Sequence, residues 1–448
     1  MVPDVLMMAR SFAEARWRLD FRNRERLESW QKNQLGRFMR DVLPKAPRYR
    51  DMKYSGLSDL PTMDKSAMMD DFKASNTRGI ELDEAMTVAL QAEESRDFVP
   101  SLGDVTVGLS SGTSGNRGVF LVSRKERLRW AGMILARALP KHLFSRLISP
   151  WRPPIRIAFF LRANSNLYTT LNSGRVDFSF HDLLLGVDPA VARLNREQPD
   201  LLVGPPSLLF ALAAEVRADR LSISPSHVIS VAEVLENRDA ESLEEAFGSC
   251  PHQLYQATEG FLGYTCESGS VHLNESYVHI EPEWLDSEHS RFQPIITDFS
   301  RDTQLIVRYR LNDVLRQSNE PCPCGRADRA ISAIEGRSDE VIWLPSLEPG
   351  RSKSIFPDQL RRAMLFAGSA VREYEITQSG MDMHVSLLPD GETRLVRERV
   401  ANELEKLWQS MSVQRPTLSF TDWKPPKRGA KRRRIRVDHL PAGLSCTF

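Results

Sequence analysis

VTVGLSSGTSGNRG (residues 105–118) joins a predicted strand to a loop of small residues. Ser, Gly and Thr fill positions 110–115, here called the Ser/Gly loop, and an arginine follows at 117. Such a loop turns backbone N–H groups and hydroxyls toward one concavity, which suits phosphate oxygens. The pattern G-x-x-x-x-G-K-[ST] does not match after Gly112, so a P-loop kinase or ATPase is disfavoured. Taken alone, a flexible connection explains the loop equally well.

Beyond this loop, predicted strands and helices alternate. Helical spacing predicts helices over 124–139, 188–198, 206–216 and 239–247. Apolar runs predict strands at IRIAFFL (155–161), VDFSFHDLL, LLVG, HVISVAE and QLYQATEG. This alternation predicts a doubly wound, largely parallel sheet, whose ligands bind beyond the carboxyl ends of its strands.

The flanking regions differ from this central part. Helical spacing over 16–42 predicts one long helix near the start, the chain is β-rich after residue 266, and a shorter unit mixing strands and helices follows Leu344. The predicted fold class is therefore α/β. We expect a large N-terminal domain with mostly parallel sheets flanked by helices plus a β-rich part, and a small mobile α+β C-terminal domain.

Composition and charge exclude several classes of protein. The 448 residues carry 60 Lys and Arg against 59 Asp and Glu, so the chain as a whole is not a polyanion binder. No apolar stretch approaches the roughly 20 residues of a transmembrane helix, and an acidic residue at position 4 argues against a secretory signal. Five cysteines, an odd number, fit a reducing compartment. We therefore expect a cytoplasmic protein with no membrane partner.

Four ordered motifs carry a family resemblance. SSGTSGNRG (110–118), YQATEG (255–260), RYRLND (308–313) and IEGRSDE (334–340) follow a lead-in, LPTMDKSAM (60–68). In this order they resemble the acyl- and aryl-adenylate-forming superfamily, and within it the phenylacetate–CoA ligase-like, coenzyme-synthetase-related branch, over nearly the whole chain. The resemblance implies an adenylate-forming ligase that converts a carboxylic acid and ATP into an acyl-adenylate and pyrophosphate, then transfers the acyl group to CoA. Transfer to an amine or to a carrier-protein thiol is the alternative.

The same resemblance assigns roles to individual residues. Glu259 would hold Mg²⁺, Thr258 would meet the α-phosphate, and Asp339 would be the hinge between the two domains. The implied small-molecule partners are ATP, CoA and the acid. The residues that the resemblance implies for nucleotide binding are Ser110, Ser111, Gly112, Thr113, Ser114, Gly115, Arg117, Ala232, Glu233, Tyr255, Gln256, Asp313 and Arg337.

Two departures from the superfamily pattern affect the expected function. Asn116-Arg117-Gly118 stands where Pro-Lys-Gly is usual, and Leu311-Asn312 replaces Thr-Gly before Asp313. A non-enzymatic nucleotide-binding or nucleic-acid-associated protein is a third hypothesis. It is disfavoured because Glu259 and Asp313 are both present.

The basic segment KPPKRGAKRRRIRV (424–437) holds eight Lys or Arg and no acidic residue. By itself such a run could bind an anionic surface or a nucleic acid. The resemblance implies instead that a lysine of this segment bridges the carboxylate and the α-phosphate during adenylation. Lys431 is the first candidate and Lys427 the second, because one extra residue separates Gly429 from Lys431.

The acid would lie beside FFLRANSNLY (159–168) and GPPSLLF (204–210). Polar groups in RANSN could read a substituent on an aromatic ring, so an aromatic acid is favoured, although these residues could equally cap a helix. The candidate pocket residues are Phe160, Asn164, Asn166, Tyr168, Pro206 and Ala257.

A metal site is predicted apart from the chemistry. Cys266, His272, Cys322 and Cys324 form a Cys₃His set, the ligands of a closed tetrahedral zinc site. Buried free cysteines with a surface histidine are the alternative. Phenylacetate–CoA ligase-like proteins carry similar residues, which favours structural Zn²⁺.

The resemblance thereby sets the expected domain boundaries. Residues 1–340 form the large adenylation domain, in which 1–100 are the helical lead-in, 101–265 the nucleotide-binding α/β part and 266–340 the β-rich part with the zinc site. Residues 341–448 form the small C-terminal lid domain.

Overall fold

The computed structural model describes residues 2–95, 101–109, 118–161, 174–368, 370–425 and 433–441. These residues form two compact units. The first comprises the described residues of Met1–Glu283, Pro294–Leu311 and Gln317–Ser332. The second comprises those of Trp284–Gln293, Asn312–Arg316 and Ala333–Phe448.

The helices of the first unit begin at the N-terminus and then alternate with strands. They are α1 (Val2–Ala13), α2 (Arg24–Asp41), α3 (Pro47–Arg50), α4 (Lys65–Asp70), α5 (Leu82–Ser95), α6 (Arg124–Ala138), α7 (Lys141–Ile148), α8 (Val187–Glu197), α9 (Pro206–Arg217) and α10 (Asn237–Phe247).

The strands of the first unit up to residue 273 alternate with these helices in the sequence. They are β1 (Ser101–Leu102), β2 (Val105–Leu109), β3 (Val119–Ser123), β4 (Ile155–Leu161), β5 (Val176–Asp182), β6 (Leu201–Gly204), β7 (His227–Val231), β8 (His252–Ala257), β9 (Gly260–Thr265) and β10 (Val271–Leu273). Five further strands are β11 (Val278–Trp284), β12 (Arg291–Asp298), β13 (Tyr309–Arg310), β14 (Asp313–Gln317) and β15 (Ala330–Arg337).

The main sheet of the first unit has a parallel core. Its order is β5-β4-β6-β7-β8-β9-β10, followed by the first residues of β15. β5, β4, β6, β7 and β8 pair in parallel, whereas β8–β9, β9–β10 and β10–β15 are antiparallel. The predicted doubly wound, largely parallel sheet is therefore confirmed, with an antiparallel flank that begins at the YQATEG motif and includes His272.

Apolar strands and amphipathic helices explain this core. β6 and β7 are buried along their whole length, as strands covered on both faces must be. The helices α8, α9 and α10 cover them through side chains such as Leu194, Leu209 and Leu243, each 0% exposed.

A second, three-stranded antiparallel sheet carries the ends of the Ser/Gly loop. Its order is β1-β2-β3, with Leu109 opposite Val119. Leaving the sheet, the chain enters α6 through a capping box, in which Ser123 and Glu126 satisfy each other's backbone amides. The Ser/Gly loop and the two residues after it, 110–117 together, lie outside the described residues.

The second unit is a small α+β body. Its further elements are β16 (Ile342–Pro345), β17 (Ser352–Ile355), α11 (Pro357–Phe366), β18 (Val371–Ser379), β19 (Asp382–Pro389), α12 (Thr393–Met411), β20 (Thr417–Asp422) and β21 (Ile435–His439). A four-stranded sheet of order β20-β19-β18-β21 packs on the two helices, with Trp408 of α12 1% exposed in the core.

One sequence expectation needs correction. The helix expected over 16–42 is interrupted, because a π-helical turn ends at Arg18 and α2 begins at Arg24. The Asn23 side chain accepts a hydrogen bond from the Arg26 amide and so caps the new helix. Among the described ranges, no helix combines the length and apolar character that a bilayer crossing needs.

Candidate functional site

Several predicted site residues lie where the structure gives no description. Those outside the described residues are Ser110, Ser111, Gly112, Thr113, Ser114, Gly115, Arg117, Asn164, Asn166, Tyr168, Lys427 and Lys431. Their predicted roles stay predictions. The remaining candidates lie among the described residues.

The YQATEG motif forms the end of β8 and the tight turn into β9. Ala257 pairs with Gly260, so Thr258 and Glu259 are the two residues of the connection. This Thr258–Glu259 turn lies at the carboxyl end of a parallel strand, the edge at which such sheets bind ligands. Tyr255 is 8% exposed, and Gln256 lies half-buried beyond a bulge in the pairing.

The Glu259 carboxylate is oriented by two hydroxyl groups. Thr258 Oγ1 donates to Glu259 Oε2 over 2.8 Å. The Tyr309 hydroxyl of the RYRLND motif also hydrogen-bonds to this carboxylate, and burial together with the nearby negative charge raises the pKa of Tyr309. Because the tyrosine stays protonated, it donates and fixes the carboxylate. The arrangement presents a half-buried anion at the sheet edge, a suitable ligand for a hard cation.

The neighbouring strand ends also carry candidate residues. Ala232 follows β7 with φ at +69°, an uncommon value for a residue with a Cβ. The Glu233 carboxylate accepts hydrogen bonds from the amide and hydroxyl of Ser207, each at 3.1 Å. Pro206 is the first residue of α9. Glu233 therefore caps α9 beside the candidate site, where the helix dipole favours a negative charge.

Phe160 has surroundings that do not support its predicted place in the acid pocket. It is 1% exposed and packs in the core formed with α8 and α9. Its ring stacks on the His181 imidazole, with centroids 4.4 Å apart. The physical reason is the pleat of β4, which turns this side chain toward the helices. Ala257, by contrast, is half-buried at the strand end.

In the second unit, the predicted ribose residues lie at adjoining strand ends. β14 and β15 are neighbours, and the Ser338 amide donates to the Asn312 carbonyl over 2.6 Å. Asp313 begins β14 and Arg337 ends β15, so both lie at the same edge. The next residues form a charged cluster, because Arg433 pairs with Asp339 at 3.1 Å and with Glu340 at 2.9 Å.

The four predicted metal ligands come together in the first unit. We call Cys266, His272, Cys322 and Cys324 the Cys/His cluster; their ligand atoms all lie within 4.8 Å of one another. Cys266 Sγ is 3.6 Å from Cys322 Sγ, and Cys324 Sγ is 3.4 Å from His272 Nε2. Two sulfurs on a tetrahedral zinc ion, with bonds of about 2.3 Å, lie about 3.8 Å apart. The 3.6 and 3.4 Å distances are close to this value, and the largest separation of 4.8 Å would close by about 1 Å around a zinc ion.

The surroundings of the Cys/His cluster also favour a cation. His272 is 1% exposed, so the alternative of a surface histidine is wrong. Its Nδ1 lies 2.9 Å from the Asp328 carbonyl, which leaves Nε2 facing the three sulfurs. Gly269 and Gly325 adopt φ of +83° and +72°, which allows the tight turns that follow Cys266 and Cys322.

The thiols of the cluster differ in how readily they ionise. Burial raises the pKa of Cys322, but hydrogen bonds from Ser270 and the Cys324 amide outweigh it and lower this pKa to about 6. Burial, and then the adjacent Cys322 and Cys266, raise the pKa of Cys324 to about 12. A bound cation would stabilise all three thiolates together, although their pKa values differ in its absence.

Three contacts at these sites could not be found from the sequence. Tyr309 reaches Glu259, Arg433 reaches Asp339, the predicted hinge residue, and Arg301 donates to the Glu259 carbonyl over 3.0 Å. Each joins residues more than 40 positions apart. The only sequence signal was that Tyr309 belongs to the RYRLND motif and Arg433 to the basic segment.

Comparison with known proteins shows what the chain is similar to. No protein-family model matches it. Over 194 residues, 40% of this chain, it is 23% identical to a phenylacetate-coenzyme A ligase from Thermus thermophilus. The matched segment spans 42% of that relative, less than half of its length.

The fold resembles solved ligases over most of the chain. A 2-hydroxyisobutyryl-CoA ligase in the postadenylation state with R3-HIB-AMP superposes with a TM-score of 0.62 at 16% identity, over 91% of this chain and 89% of that one. An open conformation of 2-hydroxyisobutyryl-CoA ligase with 2-HIB-AMP and CoA gives a TM-score of 0.52 at 17% identity, over 91% of each chain. The chain therefore has the fold of these ligases, which agrees with the fold implied by the resemblance of its ordered motifs.

Proposed function

We propose that this chain, with its adenylate-forming ligase fold, activates a carboxylic acid with ATP and then transfers the acyl group to CoA. The observation that carries the proposal is the Thr258–Glu259 turn. It lies at the carboxyl end of β8 with its carboxylate oriented by two hydroxyls. A 2-hydroxyisobutyryl-CoA ligase of the same fold holds R3-HIB-AMP, and another of its structures holds CoA.

The chemistry has two half-reactions. In the first, a carboxylate oxygen of the acid bonds to the α-phosphorus of ATP, and the bond from that phosphorus to pyrophosphate breaks. In the second, the deprotonated CoA sulfur attacks the acyl carbonyl carbon, and AMP leaves. Both steps gather negative charge at the phosphates, so donors and cations aimed there lower the barrier.

Glu259 would hold Mg²⁺ beside the phosphates. A hard cation prefers oxygen ligands, and a carboxylate fixed by Thr258 and Tyr309 requires little reordering to bind one. When bound, the ion would neutralise phosphate charge. Thr258 would meet the α-phosphate, and the Ser/Gly loop with Arg117 would contact the outer phosphates. Tyr255, Gln256, Ala232 and Glu233 would flank the base.

The ribose and the hinge would involve the second unit. Asp313 would accept hydrogen bonds from both ribose hydroxyls and Arg337 would donate to them, which is supported by their positions at one edge of β14 and β15. Lys431, or else Lys427, would bridge carboxylate and α-phosphate. We infer that residues 341–448 reorient at Asp339 between the half-reactions.

The acid and its acceptor form the finer part of the proposal. Pro206 and Ala257 would border the acyl group with Asn164, Asn166 and Tyr168, and an aromatic acid is the favoured substrate. CoA is the favoured acceptor because it is named for both relatives. Neither relative is named for a carrier-protein substrate. We further infer that the Cys/His cluster binds one structural Zn²⁺, since four protein ligands leave no open position.

A pyrophosphate-release screen tests the proposal. Purified protein is given ATP, Mg²⁺ and a panel of aromatic and aliphatic acids, with and without CoA. We expect acid-dependent pyrophosphate release, and a thioester when CoA is present. Release without a thioester, followed by amide formation with added amines, would favour the alternative acceptor. Absence of pyrophosphate with every acid would contradict the proposed function.

A further inference from the structure

Arg301 lies in the connection between β12 and β13, and no sequence motif marked it. Arg301 is 1% exposed and is among the largest fully buried side chains of the described residues. The guanidinium stacks over the Trp130 ring, 5.1 Å from the centroid. Burying a charge is costly unless the charged group is well hydrogen-bonded. The hydrogen-bond partners of Arg301 therefore indicate its role.

The partners of Arg301 belong to two separate segments. Nη1 donates to the carbonyls of Thr258 and Glu259, at 3.3 and 3.0 Å. Nη2 donates to the Leu121 carbonyl of β3, at 3.0 Å. β3 begins at Val119, four residues after Gly115, the last residue of the Ser/Gly loop. One planar guanidinium therefore joins the Thr258–Glu259 turn to the strand that follows the loop.

The same connection is attached to β3 by other groups as well. The Gln304 side chain accepts from the Leu121 amide at 3.0 Å and donates to the Val119 carbonyl at 3.3 Å. Glu126 Oε1 accepts from the amides of Asp302 and Thr303, at 2.7 and 3.0 Å. These contacts hold the connection against β3 and α6 without touching the Thr258–Glu259 turn.

We infer that Arg301 is a positioning residue, which sets the Thr258–Glu259 turn at a fixed distance from β3. This inference rests on the proposed function for its catalytic consequence, because those two segments then carry the metal-binding carboxylate and the phosphate loop. Arg301 touches backbone carbonyls rather than reacting atoms. Its planar fork of donors can bond to two segments at once, which the single ammonium of lysine cannot match.

The test uses amide hydrogen exchange in the full-length protein without nucleotide. Arg301→Met should speed exchange in peptides covering both 256–262 and 119–123. Gln304→Leu, the matched control, should speed exchange in 119–123 alone. Unchanged exchange in 256–262 of Arg301→Met would overturn the inference. If that variant does not fold, Arg301→Lys replaces it: faster exchange at 256–262 supports the inference and wild-type exchange overturns it.

A kinetic readout separates positioning from general stability. At saturating acid, Arg301→Met should lower the rate of adenylation about 10- to 100-fold and raise the Mg²⁺ concentration needed for half-maximal rate. Arg301→Lys should recover part of both, whereas Gln304→Leu should keep the wild-type Mg²⁺ requirement. An unaltered Mg²⁺ requirement in folded Arg301→Met would contradict the catalytic consequence. If wild-type protein releases no pyrophosphate at all, the proposed function fails, while the exchange experiment still decides the role of Arg301.

Discussion

The Cys/His cluster and the proposed nucleotide site differ in how much of the chain each requires. The cluster draws its ligands from two short segments, 266–272 and 322–324, both in the first unit. The nucleotide candidates are spread over both units, with Thr258 and Glu259 in the first and Asp313 and Arg337 in the second. A closed metal site holds its ion permanently, whereas a catalytic site binds and releases its ligands in every turnover.

This difference predicts that the two sites respond oppositely to substitution. Changes in the cluster should reduce stability and spare chemistry in the molecules that remain folded. Changes at the nucleotide site should do the reverse. Residues next to the cluster make contacts through which its loss should reduce stability. The Ala327 amide donates to the Phe21 carbonyl over 2.9 Å, and Arg326 pairs with Asp20. The segment between α1 and α2 is therefore attached to the loop that bears Cys322 and Cys324.

The largest expected effect is on stability, from Cys322→Ser. Loss of one thiolate should reduce bound zinc from about one equivalent per chain and lower the free energy of unfolding by about 4 kcal/mol. Elemental analysis and urea unfolding followed by tryptophan fluorescence measure these two quantities. Cys250→Ser is the matched control, because Cys250 is exposed and is not a member of the cluster. Wild-type protein without zinc, together with unchanged stability of Cys322→Ser, would show that the metal site is wrong.

The next effect concerns chemistry, from Lys431→Ala. Removing the proposed bridging cation should slow acyl-adenylate formation roughly 10²- to 10³-fold. Thioester formation from a chemically supplied adenylate should be nearly unchanged, because that step no longer involves pyrophosphate departure. The two half-reactions are measured separately by pyrophosphate release and by thioester yield. Equal loss in both would count against Lys431, and a large loss only in Lys427→Ala would transfer the role to that lysine.

A smaller effect should come from a buried histidine outside both sites. Burial, and then the neighbouring His252 and His142, lower the pKa of His227 to about 3. In the unfolded chain this histidine takes up a proton near pH 6.5, but in the folded chain it does not. Its contribution to the free energy of unfolding is therefore fully present above pH 6.5 and is lost as the pH falls toward 3.

For His227 this loss amounts to about 2 kcal/mol between pH 7 and pH 5. His227→Gln should therefore flatten the fall of unfolding free energy over that interval. Urea unfolding at both pH values, in wild type and variant, measures the difference. An equally steep fall in the variant would show that other groups cause it.

The smallest expected effect comes from Arg433→Met. Arg433 lies two residues after Lys431 and pairs with Asp339 and Glu340 at the predicted hinge. Breaking partly exposed ion pairs is worth about 1 kcal/mol or less, so the ratio of the two half-reaction rates should change by a few-fold. The control is Arg436→Met. Arg436 lies on the same segment as Arg433 and pairs with Glu375. Equal ratios in wild type and both variants would remove Arg433 from the account of the hinge.

The sequence predicted the parts of this molecule that depend on local pattern. Apolar runs such as IRIAFFL became buried parallel strands, and helices over 124–138 and 206–217 formed close to their predicted bounds. The Cys/His cluster was also predictable, because zinc ligands are few in kind and two ligand pairs lay in short segments. Cys322 and Cys324 lie in the loop between β14 and β15, and β15 pairs with the strand that bears His272.

The parts that the sequence did not predict depend on long-range contacts. The break before α2 follows from docking of residues 20–21 against the loop that follows Cys324, which helical spacing does not reveal. Phe160 was predicted to line the acid pocket as part of FFLRANSNLY, yet it is 1% exposed in the core formed with α8 and α9. Arg301 and Tyr309 act on the Thr258–Glu259 turn from about 40 to 50 residues away, and only the folded chain shows this.

The most direct test of the account compares acyl-adenylate formation, per folded molecule, in Glu259→Gln and Cys322→Ser. Glutamine keeps the size of the side chain but removes the charge proposed to hold Mg²⁺. We predict that Glu259→Gln loses adenylation about 10²-fold with unchanged thermal stability, whereas folded Cys322→Ser keeps wild-type adenylation at reduced stability. Wild-type adenylation by Glu259→Gln would contradict the assignment of the chemistry to the Thr258–Glu259 turn.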